Sequence, residues 1–419
     1  MRRIHLSGVV SLALMASVTV AQADDGLGSG DVAFHEVAEL QIEDSISDAE
    51  LDDLHAIANQ EGLTLDDAIE RYAWNDNFAH AVSKIREAFP EIFAGAEIVD
   101  AQRAWVAFAD SPSDGALEII DDFTLSQGSV AVEVRTDLGF TEVDLESAIT
   151  TVHYTVFDRA EVRDASTSFD FETREISVIV ALDSGVPDSV IDDLRAAASD
   201  KLIEEGNGAM LDSVAVSVVR SSRSTIGGLD SGTEHLGGES LSSCTSGFVI
   251  RNSANTRHVA TAGHCPPPDG NQSDDGVLLP LQATHEGAHG DFQRHSGTQP
   301  RPDDFYSGNA NATEVNRRDV AAVGAPVVGQ PLCKNGKTNH KQCQDVRKLG
   351  VCHSVYCNLV QMEARIAAGG DSGGPVYWGN TAYGLHQGWH FDLFPFDRDL
   401  FSRADRIDNA FPGWNVANT

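Results

Sequence analysis

The sequence is poor in basic residues. It contains 29 Lys and Arg against 64 Asp and Glu in 419 residues, which gives a formal net charge of −35. Such an excess of negative charge repels phosphate groups, so nucleic acid and anionic membranes are not expected partners. After residue 23, no segment has an apolar run long enough to cross a membrane. Hydrophobic residues still make up 41% of the chain, which is enough for a substantial core.

A secretory signal is predicted at the N-terminus. Arg2 and Arg3 provide a basic start, residues 6–20 are mostly apolar, and Ala21-Gln22-Ala23 offers small residues at the cleavage positions. The apolar stretch is shorter than a membrane span requires. We therefore expect residues 1–23 to be a signal peptide and the protein to be secreted, to the extracellular space or the periplasm.

Cysteine is absent from residues 1–243. The second part of the chain contains all six cysteines: Cys244, Cys265, Cys333, Cys343, Cys352 and Cys357. An even number of cysteines in an exported chain predicts disulfides, and local spacing favours pairing each cysteine with its nearest neighbour in the sequence. Zinc is the alternative, but the chain has no Cys-x-x-Cys pair. We expect neither a metal nor an organic cofactor.

The acidic residues are concentrated in the first part of the chain. Residues 1–225 carry 14 Lys and Arg and 44 Asp and Glu, whereas residues 226–419 carry 15 and 20. Between these parts, residues 221–243 are rich in Ser, Gly and Thr, as in a linker or a processing site. The asymmetry predicts an acidic region over residues 24–225 and a separate domain over residues 226–419.

The two parts also differ in secondary-structure pattern. Ser47 to Glu50 and Thr64 to Asp67 have the form of helix-capping boxes, and apolar residues at helical spacing follow each of them. The acidic region also contains β-type runs, so we predict an α+β fold. The predicted strands are residues 104–109, 129–134, 152–157, 176–182 and 214–218, with a helix over residues 187–205. Beyond Cys244, short β-type runs alternate with turn residues, which predicts an all-β barrel or sandwich.

Two short motifs in the second domain supply candidate catalytic groups. Thr261 to Cys265 (T-A-G-H-C) contains a histidine, and Gly370 to Pro375 (G-D-S-G-G-P) contains a serine in a glycine-rich turn. A serine hydroxyl becomes a nucleophile when a base takes its proton, and a neutral imidazole is available for this near pH 7. We predict Ser372 as the nucleophile and His264 as its base. Because glycine permits a tight turn, the N–H groups of Gly370 and Ser372 can form an oxyanion hole.

A carboxylate is needed to accept the other ring N–H of His264 and fix its tautomer. Asp291 follows His264 by 27 residues, and Asp319 enters an apolar strand-like run. Asp303 and Asp304 lie in a Pro-rich turn. From the residues alone, Asp291 and Asp319 both remain candidates for the carboxylate that orients His264.

The order His, Asp, Ser within these motifs resembles the chymotrypsin-like serine proteases. The chain is most similar to their bacterial α-lytic protease and streptogrisin branch. Residues 244–248 resemble the opening motif of that branch, residues 328–343 its second disulfide loop, and residues 384–388 the wall of its specificity pocket. The resemblance covers residues 226–419. It favours Asp291, because the branch has a short His-to-Asp spacing.

The resemblance implies an all-β protease domain of two six-stranded antiparallel barrels, with His264 and Asp291 on the first and Ser372 on the second. Residues 24–225 resemble, more loosely, the pro-region of the branch, which implies a zymogen cleaved near residues 222–228. The pro-region would serve as a folding aid or an inhibitor. The expected function is that of a secreted serine endopeptidase, monomeric when mature, with protein or peptide substrates. The alternative is a catalytically inactive protease homologue that acts as a binding module, although the intact motifs argue against it.

The resemblance also nominates a specificity pocket formed by Ile366, His386, Gln387 and Gly388. Ile366 stands six residues before Ser372, where trypsin-type pockets have an aspartate, so cleavage after Arg or Lys is not expected. His386 resembles a pocket histidine of acid-preferring family members, which predicts contact with a substrate carboxylate; the alternative is a packing histidine. Gln387 departs from the family pattern, which has a serine there.

Overall fold

The computed structural model describes residues 33–34, 46–183, 185–187, 189–205, 214–220, 237–266, 271–274, 277–297, 303–308, 317–391 and 397–419. The predicted signal peptide and the predicted cleavage segment near residues 222–228 lie outside these residues. Within the described ranges, no helix has the length and apolarity that crossing a membrane requires.

The N-terminal region, described up to residue 220, mixes helices and strands as predicted. Its helices are α1 (Asp48–Glu61), α2 (Leu65–Tyr72), α3 (Asn75–Ala88), α4 (Asp114–Gln127), α5 (Glu142–Phe157) and α6 (Val190–Glu204). Its strands are β1 (Ala33–Phe34), β2 (Phe93–Asp100), β3 (Arg103–Phe108), β4 (Ala131–Arg135), β5 (Val162–Asp170), β6 (Glu175–Leu182) and β7 (Ala215–Arg220). Both predicted capping boxes are formed, by Ser47 with Glu50 and by Thr64 with Asp67.

One predicted strand is a helix. Residues 152–157, predicted as a strand from their β-branched and aromatic side chains, form the end of α5. Thr141 begins this helix with a third capping box to Asp144, and the helix then buries one face. The helical spacing of that face outweighs the local β propensity, because burial against a neighbouring sheet contributes more than propensity does. The buried residues are Leu145, Ala148, Ile149, Val152, His153 and Val156.

The C-terminal region, from residue 237 onward, is built almost entirely of strands. The strands that carry or flank the first motif are β8 (Val249–Asn252), β9 (Arg257–Thr261), β10 (Gln272–Asp274), β11 (Val277–Leu279), β12 (Leu281–Gly287), β13 (Gly290–His295), β14 (Asp304–Tyr306) and β15 (Arg317–Asp319). The later strands are β16 (Ala322–Val323), β17 (Pro331–Lys334), β18 (Gln342–His353), β19 (Tyr356–Met362), β20 (Pro375–Trp378), β21 (Thr381–Phe391), β22 (Asp397–Arg403) and β23 (Trp414–Val416). A 3₁₀ turn (Ala404–Arg406) and the short helix α7 (Ile407–Ala410) precede β23.

Two β units divide this region. The second is a closed six-stranded barrel in the order β17-β20-β21-β22-β19-β18, and the pairing of β18 with β17 closes it. In the first unit, the described strands form a five-stranded antiparallel sheet in the order β12-β13-β9-β8-β23, with the pairs β10-β11 and β14-β15 outside it. The predicted class, an all-β protease fold preceded by an α+β region, is confirmed.

The N-terminal region packs directly onto the second barrel. Strand β5 pairs with the end of β18, so that β5, β6 and β7 extend the barrel sheet. Residues of α1 and α2, among them Leu54, Ile57 and Tyr72, share one hydrophobic core with barrel residues such as Leu332 and Trp378. The two regions are therefore joined both by a shared sheet and by a shared core.

Three disulfides link the cysteines in the pairing that local spacing predicts. They are Cys244–Cys265, Cys333–Cys343 and Cys352–Cys357. The first ties the segment after His264 to the start of the region. The second joins β17 to β18, and the third closes the turn between β18 and β19.

Candidate active site

His264 and Asp291 lie on neighbouring strands of the first β unit. His264 follows β9, Asp291 is the second residue of β13, and the two strands are hydrogen-bonded to each other. The ring Nδ1–H of His264 donates to Asp291 Oδ2 at 2.5 Å, and the backbone N–H of His264 donates to Oδ1 at 2.9 Å. The carboxylate thus fixes the ring orientation and leaves Nε2 as the nitrogen that can accept a proton.

The surroundings of Asp291 hold it in place. Its side chain is fully buried, and its backbone N–H donates to Ser402 Oγ at 3.0 Å from the second barrel. A Cβ atom at Gly263 would lie 2.6 Å from Asp291 Oδ1, so the glycine of T-A-G-H-C makes room for the carboxylate. Gln293 Nε2 donates to the backbone oxygens of Gly263 and Cys265 and fixes this turn.

The charge of His264 depends on its carboxylate neighbours. Burial acts to lower the pKa of His264, but Asp291, and then Glu286, outweigh burial and hold the pKa above its ordinary value. The side chain of His264 is still 25% exposed, so one edge of the ring faces the open side of the site. A base with this environment accepts a proton readily.

Ser372 lies in the turn between β19 and β20 of the second barrel. The backbone N–H of Gly373 donates to the His386 carbonyl at 2.6 Å, and Thr245 N–H donates to the Ser372 carbonyl at 2.8 Å. Gly373 has φ +87°, and a Cβ atom there would collide with Thr261 Oγ1. Glycine at this position therefore lets the serine turn pack against the end of β9, three residues before His264.

The polar groups of the serine turn include the Ser372 hydroxyl and two backbone N–H groups. The Ser372 hydroxyl donates to the Gln387 carbonyl at 3.2 Å. The backbone N–H groups of Gly370 and Ser372 have no acceptor among the described residues. Gly370 is buried and has φ +99°. Backbone N–H groups of a turn that lack an acceptor among the described residues can donate hydrogen bonds to an oxyanion.

A buried ion pair, which no sequence motif predicts, supports the serine turn. The Lys334 ammonium, on β17, pairs with the Asp371 carboxylate, and the side chains are 6% and 0% exposed. Asp371 also accepts backbone N–H groups from Thr338 at 2.8 Å, Asn339 at 3.1 Å and Ala368 at 3.0 Å. Burial acts to raise the pKa of Asp371, but the ammonium and the backbone donors hold it below its ordinary value. The ion pair thus fixes Asp371, which lies between Gly370 and Ser372 in the serine turn.

The other candidate carboxylates lie away from His264. Asp319 is an exposed residue of β15 that pairs in register with Asp304 of β14. Asp304 forms an ion pair with Arg317, and Asp303 pairs with Arg257 at 2.6 Å. Of the four aspartates considered from the sequence, Asp291 alone contacts His264 within the described residues.

The candidate pocket residues lie around the serine turn. His386 is buried, and burial together with Lys334 lowers its pKa to about 3, so the ring is neutral at pH 7. A small cavity is lined in part by Ile366 and His386, and Asp399 of β22 also lines it. Asp399 Oδ2 accepts the backbone N–H groups of Ile366 at 2.9 Å and of Ala367 at 3.0 Å. Burial raises the pKa of Asp399 to about 6. Sequence reasoning missed this carboxylate, because no motif marks it.

The two remaining pocket candidates lie next to each other in β21. Gln387, whose carbonyl accepts the hydrogen bond of the Ser372 hydroxyl, is buried, and Gly388 follows it.

No cluster of three or more His, Cys, Asp or Glu side chains that could hold a metal ion is present in the described part of the chain.

The comparison with curated proteins confirms the resemblance of the chain to the bacterial chymotrypsin-like serine proteases. The chain is 28% identical over 155 residues to Serine protease 2 of Streptomyces fradiae. The matched residues cover 35% of this chain and 86% of that protein. No family model matches the chain.

Solved structures of bacterial proteases are also similar to the chain. The α-lytic protease homolog N4 is 23% identical, with a TM-score of 0.37, over 44% of this chain and all of that one. The Nocardiopsis protease NAPase is 18% identical, with a TM-score of 0.37, over 44% of this chain and all of that one.

Proposed function

We propose that the protein is a secreted serine endopeptidase made as a zymogen, in which Ser372, His264 and Asp291 act as a catalytic triad. The observation that carries the proposal is the His264–Asp291 hydrogen bond at 2.5 Å, with the carboxylate fully buried. It leaves Nε2 of His264 as the ring nitrogen that can accept a proton. The similarity to a curated serine protease supports the same reaction.

The reaction begins with attack of Ser372 Oγ on a peptide carbonyl while His264 Nε2 takes the hydroxyl proton. The carbonyl oxygen becomes an oxyanion that accepts hydrogen bonds from the N–H groups of Gly370 and Ser372. Protonated His264, stabilised by Asp291, then donates its proton to the leaving amine. Water hydrolyses the resulting acyl-enzyme by the reverse sequence of proton transfers.

One local movement precedes the attack. The Ser372 hydroxyl now donates to the Gln387 carbonyl, so it must turn away from that carbonyl to donate to His264. Such a rotation exchanges one neutral hydrogen bond for another and is a small cost, on the order of 1 kcal/mol. Hydrogen bonds of catalytic groups commonly tighten when substrate binds.

Labelling with a serine-directed phosphonate tests this assignment. We expect the wild-type protein to gain one phosphonyl group, located on Ser372 by mass spectrometry of its peptides. The Ser372→Ala variant should remain unlabelled and lose peptidase activity by a factor on the order of 10⁴ or more, with its fold intact. Absence of labelling in correctly folded wild-type protein would instead identify the inactive homologue that acts as a binding module.

The zymogen part of the proposal concerns residues 24–225. All-β topologies depend on distant pairings and fold slowly, so a partner that adds strands to a barrel can lower the barrier. The pairing of β5 with β18 is a contact of that kind. We propose that this region is a pro-region that assists folding or inhibits the enzyme, and that it is cleaved near residues 222–228.

Residues 226–419 expressed alone should fold poorly, and the separate pro-region added in trans should raise the yield of active enzyme. Efficient unaided folding would remove the folding role.

Substrate preference is proposed from the candidate pocket of Ile366, His386, Gln387 and Gly388. Because position 366 is an isoleucine and not an aspartate, we expect poor cleavage after Arg and Lys. A peptide library profiled with wild type and with His386→Ala tests the pocket. Preference for Glu or Asp that disappears in the variant would support contact with His386, whereas a profile dominated by basic residues would assign the pocket carboxylate to Asp399.

A further inference from the structure

The Cys352–Cys357 disulfide closes a loop that lies beside the proposed triad. The loop joins β18 to β19 of the second barrel. We call residues 352–358 the disulfide loop. Its neighbour in the first β unit is the turn between β12 and β13, and we call residues 286–291 the aspartate hairpin because they end in Asp291. Two side chains of the disulfide loop reach this hairpin.

The first of these side chains is Tyr356. Its hydroxyl donates to Glu286 Oε2 at 3.1 Å. Glu286 pairs in register with Asp291 across the hairpin, and its Cγ lies 3.0 Å from where a Cβ atom of Gly263 would be. Glu286 therefore lies beside Gly263, the residue that precedes His264, and supplies a second carboxylate there. It acts, after Asp291, to raise the pKa of His264.

The second side chain is Asn358. Its Nδ2 donates to the backbone carbonyl of Ala288, at the tip of the aspartate hairpin, at 2.8 Å. Asn358 is 8% exposed and has φ +56°, in the left-handed region that Asn tolerates better than most residues. Such backbone conformations persist where the surrounding structure requires them. Here the conformation directs the amide at the hairpin.

The other side of the disulfide loop is held by the N-terminal region. His153 Nε2–H donates to the Ser354 carbonyl at 2.6 Å, and the Tyr154 hydroxyl donates to the Val355 carbonyl at 2.9 Å. The loop thus has fixed contacts on both faces, one with the predicted pro-region and one with the aspartate hairpin.

We propose that Tyr356 and Asn358 are positioning residues of the catalytic site, which hold the aspartate hairpin and the Glu286 carboxylate beside His264. This inference rests on the proposed function. The second barrel, which carries Ser372, also carries this loop. It therefore sets the position of the base and the carboxylate that the first β unit supplies, and the disulfide keeps the loop short enough to do so.

The pH dependence of kcat/KM tests Tyr356 and Glu286. The other titratable groups that face His264 are Asp291 on β13 and His386 on β21, and neither is altered by these substitutions. In Glu286→Gln, His264 loses a negative neighbour, so the acid limb of the profile should move to lower pH. Tyr356→Phe frees the carboxylate to leave His264, so the limb should move in the same direction by a smaller amount. Because Glu286 is exposed, both shifts should shrink at high salt.

A control in the same domain separates this effect from a structural one. Asp319→Asn removes an exposed carboxylate that lies away from His264. It should leave the acid limb unmoved. An acid limb unchanged in both Glu286→Gln and Tyr356→Phe would overturn the role of Tyr356.

Kinetics at the pH optimum test Asn358. Asn358→Gly keeps the left-handed backbone and removes only the amide, so folding should be intact. Loss of one hydrogen bond that orients the hairpin should lower kcat about 3- to 10-fold with KM unchanged. Asn380→Gly is the matched control, since Asn380 Nδ2 donates to the Asp319 carbonyl at 2.6 Å away from the site, and it should keep wild-type kcat. Wild-type kcat in Asn358→Gly would overturn the role of Asn358.

The full chain is expressed for each variant, and the active form that it yields is assayed after phosphonate titration of its active sites. Wild-type protein without a titratable serine would contradict the proposed function. Active wild type with variants that behave identically to it would contradict only the positioning role.

Discussion

The two regions of the molecule use buried carboxylates in different ways. In the C-terminal region, Asp291 pairs with His264 and Asp371 pairs with Lys334, so each charge is balanced within the region. In the N-terminal region, Asp53 of α1 is 0% exposed and its partners belong to the other region. Arg318 donates to it through two nitrogens, at 2.8 and 2.9 Å.

A second contact of the N-terminal region has the same form. Glu146 of α5 accepts hydrogen bonds from Arg403 at 3.0 Å and from Arg406 at 2.7 Å, and the Arg403 side chain is fully buried. The acidity of the N-terminal region is therefore partly used to neutralise cations of the C-terminal region. Charge pairs inside the C-terminal region organise the proposed chemistry, whereas charge pairs across the boundary hold the regions together. Substitutions of the two kinds should separate activity from assembly.

The largest expected effect is on activity, at the carboxylate of the proposed triad. Asp291→Asn should lower kcat/KM near neutral pH by about 10⁴-fold, because His264 then adopts the wrong tautomer. Steady-state kinetics on a peptide substrate measure this. Asp319→Asn is the matched control and should retain activity within about twofold. The reverse ranking would show that Asp319 is the orienting carboxylate.

The next effect is at the ion pair below the serine turn. Lys334→Met leaves Asp371 buried without its cation and releases the turn that carries the N–H groups of Gly370 and Ser372. Loss of an oxyanion donor costs on the order of 10²–10³ in kcat, and we expect a loss of that size. Lys348→Met makes the same change on β18, where the ammonium donates to Ser168 Oγ at 3.2 Å, and should leave kcat near wild type. Equal losses in both variants would indicate general destabilisation rather than a role for the pair.

A smaller effect is expected on assembly. Asp53→Asn removes one partner of a buried ion pair, which typically destabilises a protein by about 3–5 kcal/mol. The urea midpoint of the full chain, carrying Ser372→Ala to prevent self-cleavage, measures this. Asp52→Asn is the control: its side chain is 62% exposed, and exposed pairs contribute about 0–1 kcal/mol. Indistinguishable midpoints for the two variants would show that α1 is not held by the buried pair.

The smallest effect is on the pH dependence of folding stability, at a buried histidine near the pairing of β5 with β18. Burial lowers the pKa of His153 to about 4, below the ordinary value that it has when unfolded. Between the unfolded pKa, roughly 6.5, and pH 4, the unfolded chain binds the additional proton, so this histidine makes the folded state less stable as the pH falls. Burial raises the pKa of Asp345 to about 7 and acts in the opposite direction, so the comparison must be between variants.

In the Ser372→Ala full chain, His153→Gln should therefore lose less stability than its parent between pH 6.5 and 4, as measured by urea midpoints. His55→Gln, a change of an exposed histidine on α1, should follow the parent. If His153→Gln also follows the parent, the buried histidine does not titrate with unfolding.

Some of these groups were predictable from the sequence because a motif marks them. His264 and Ser372 lie in short segments whose glycines have a visible purpose in the structure, at Gly263 and Gly373. Asp291 and Asp319 both follow His264, so the residues alone left both open, and the resemblance supported Asp291. In the structure, the pairing of β13 with β9 brings Asp291 to His264. The disulfides followed from spacing, since each pair is local.

Other parts of the site and fold were not predictable, and the reason is physical. Lys334, Asp399 and Ser402 act through contacts between strands that are distant in sequence, so no local pattern identifies them. Residues 152–157 contain the β-branched and aromatic side chains typical of a strand, whereas the capping box that begins their helix lies well before them, at Thr141. The partners of Asp53 and Glu146 depend on how the two regions pack together.

The central claim is that Ser372 forms an acyl-enzyme with a proton taken by His264. A rapid-mixing experiment with an activated ester substrate tests it most directly. The account predicts a burst of released alcohol equal to one equivalent per titrated active site, followed by slower steady turnover, and no burst from Ser372→Ala. Hydrolysis that persists in Ser372→Ala at the wild-type rate, or proceeds without an acyl group on Ser372, would contradict it.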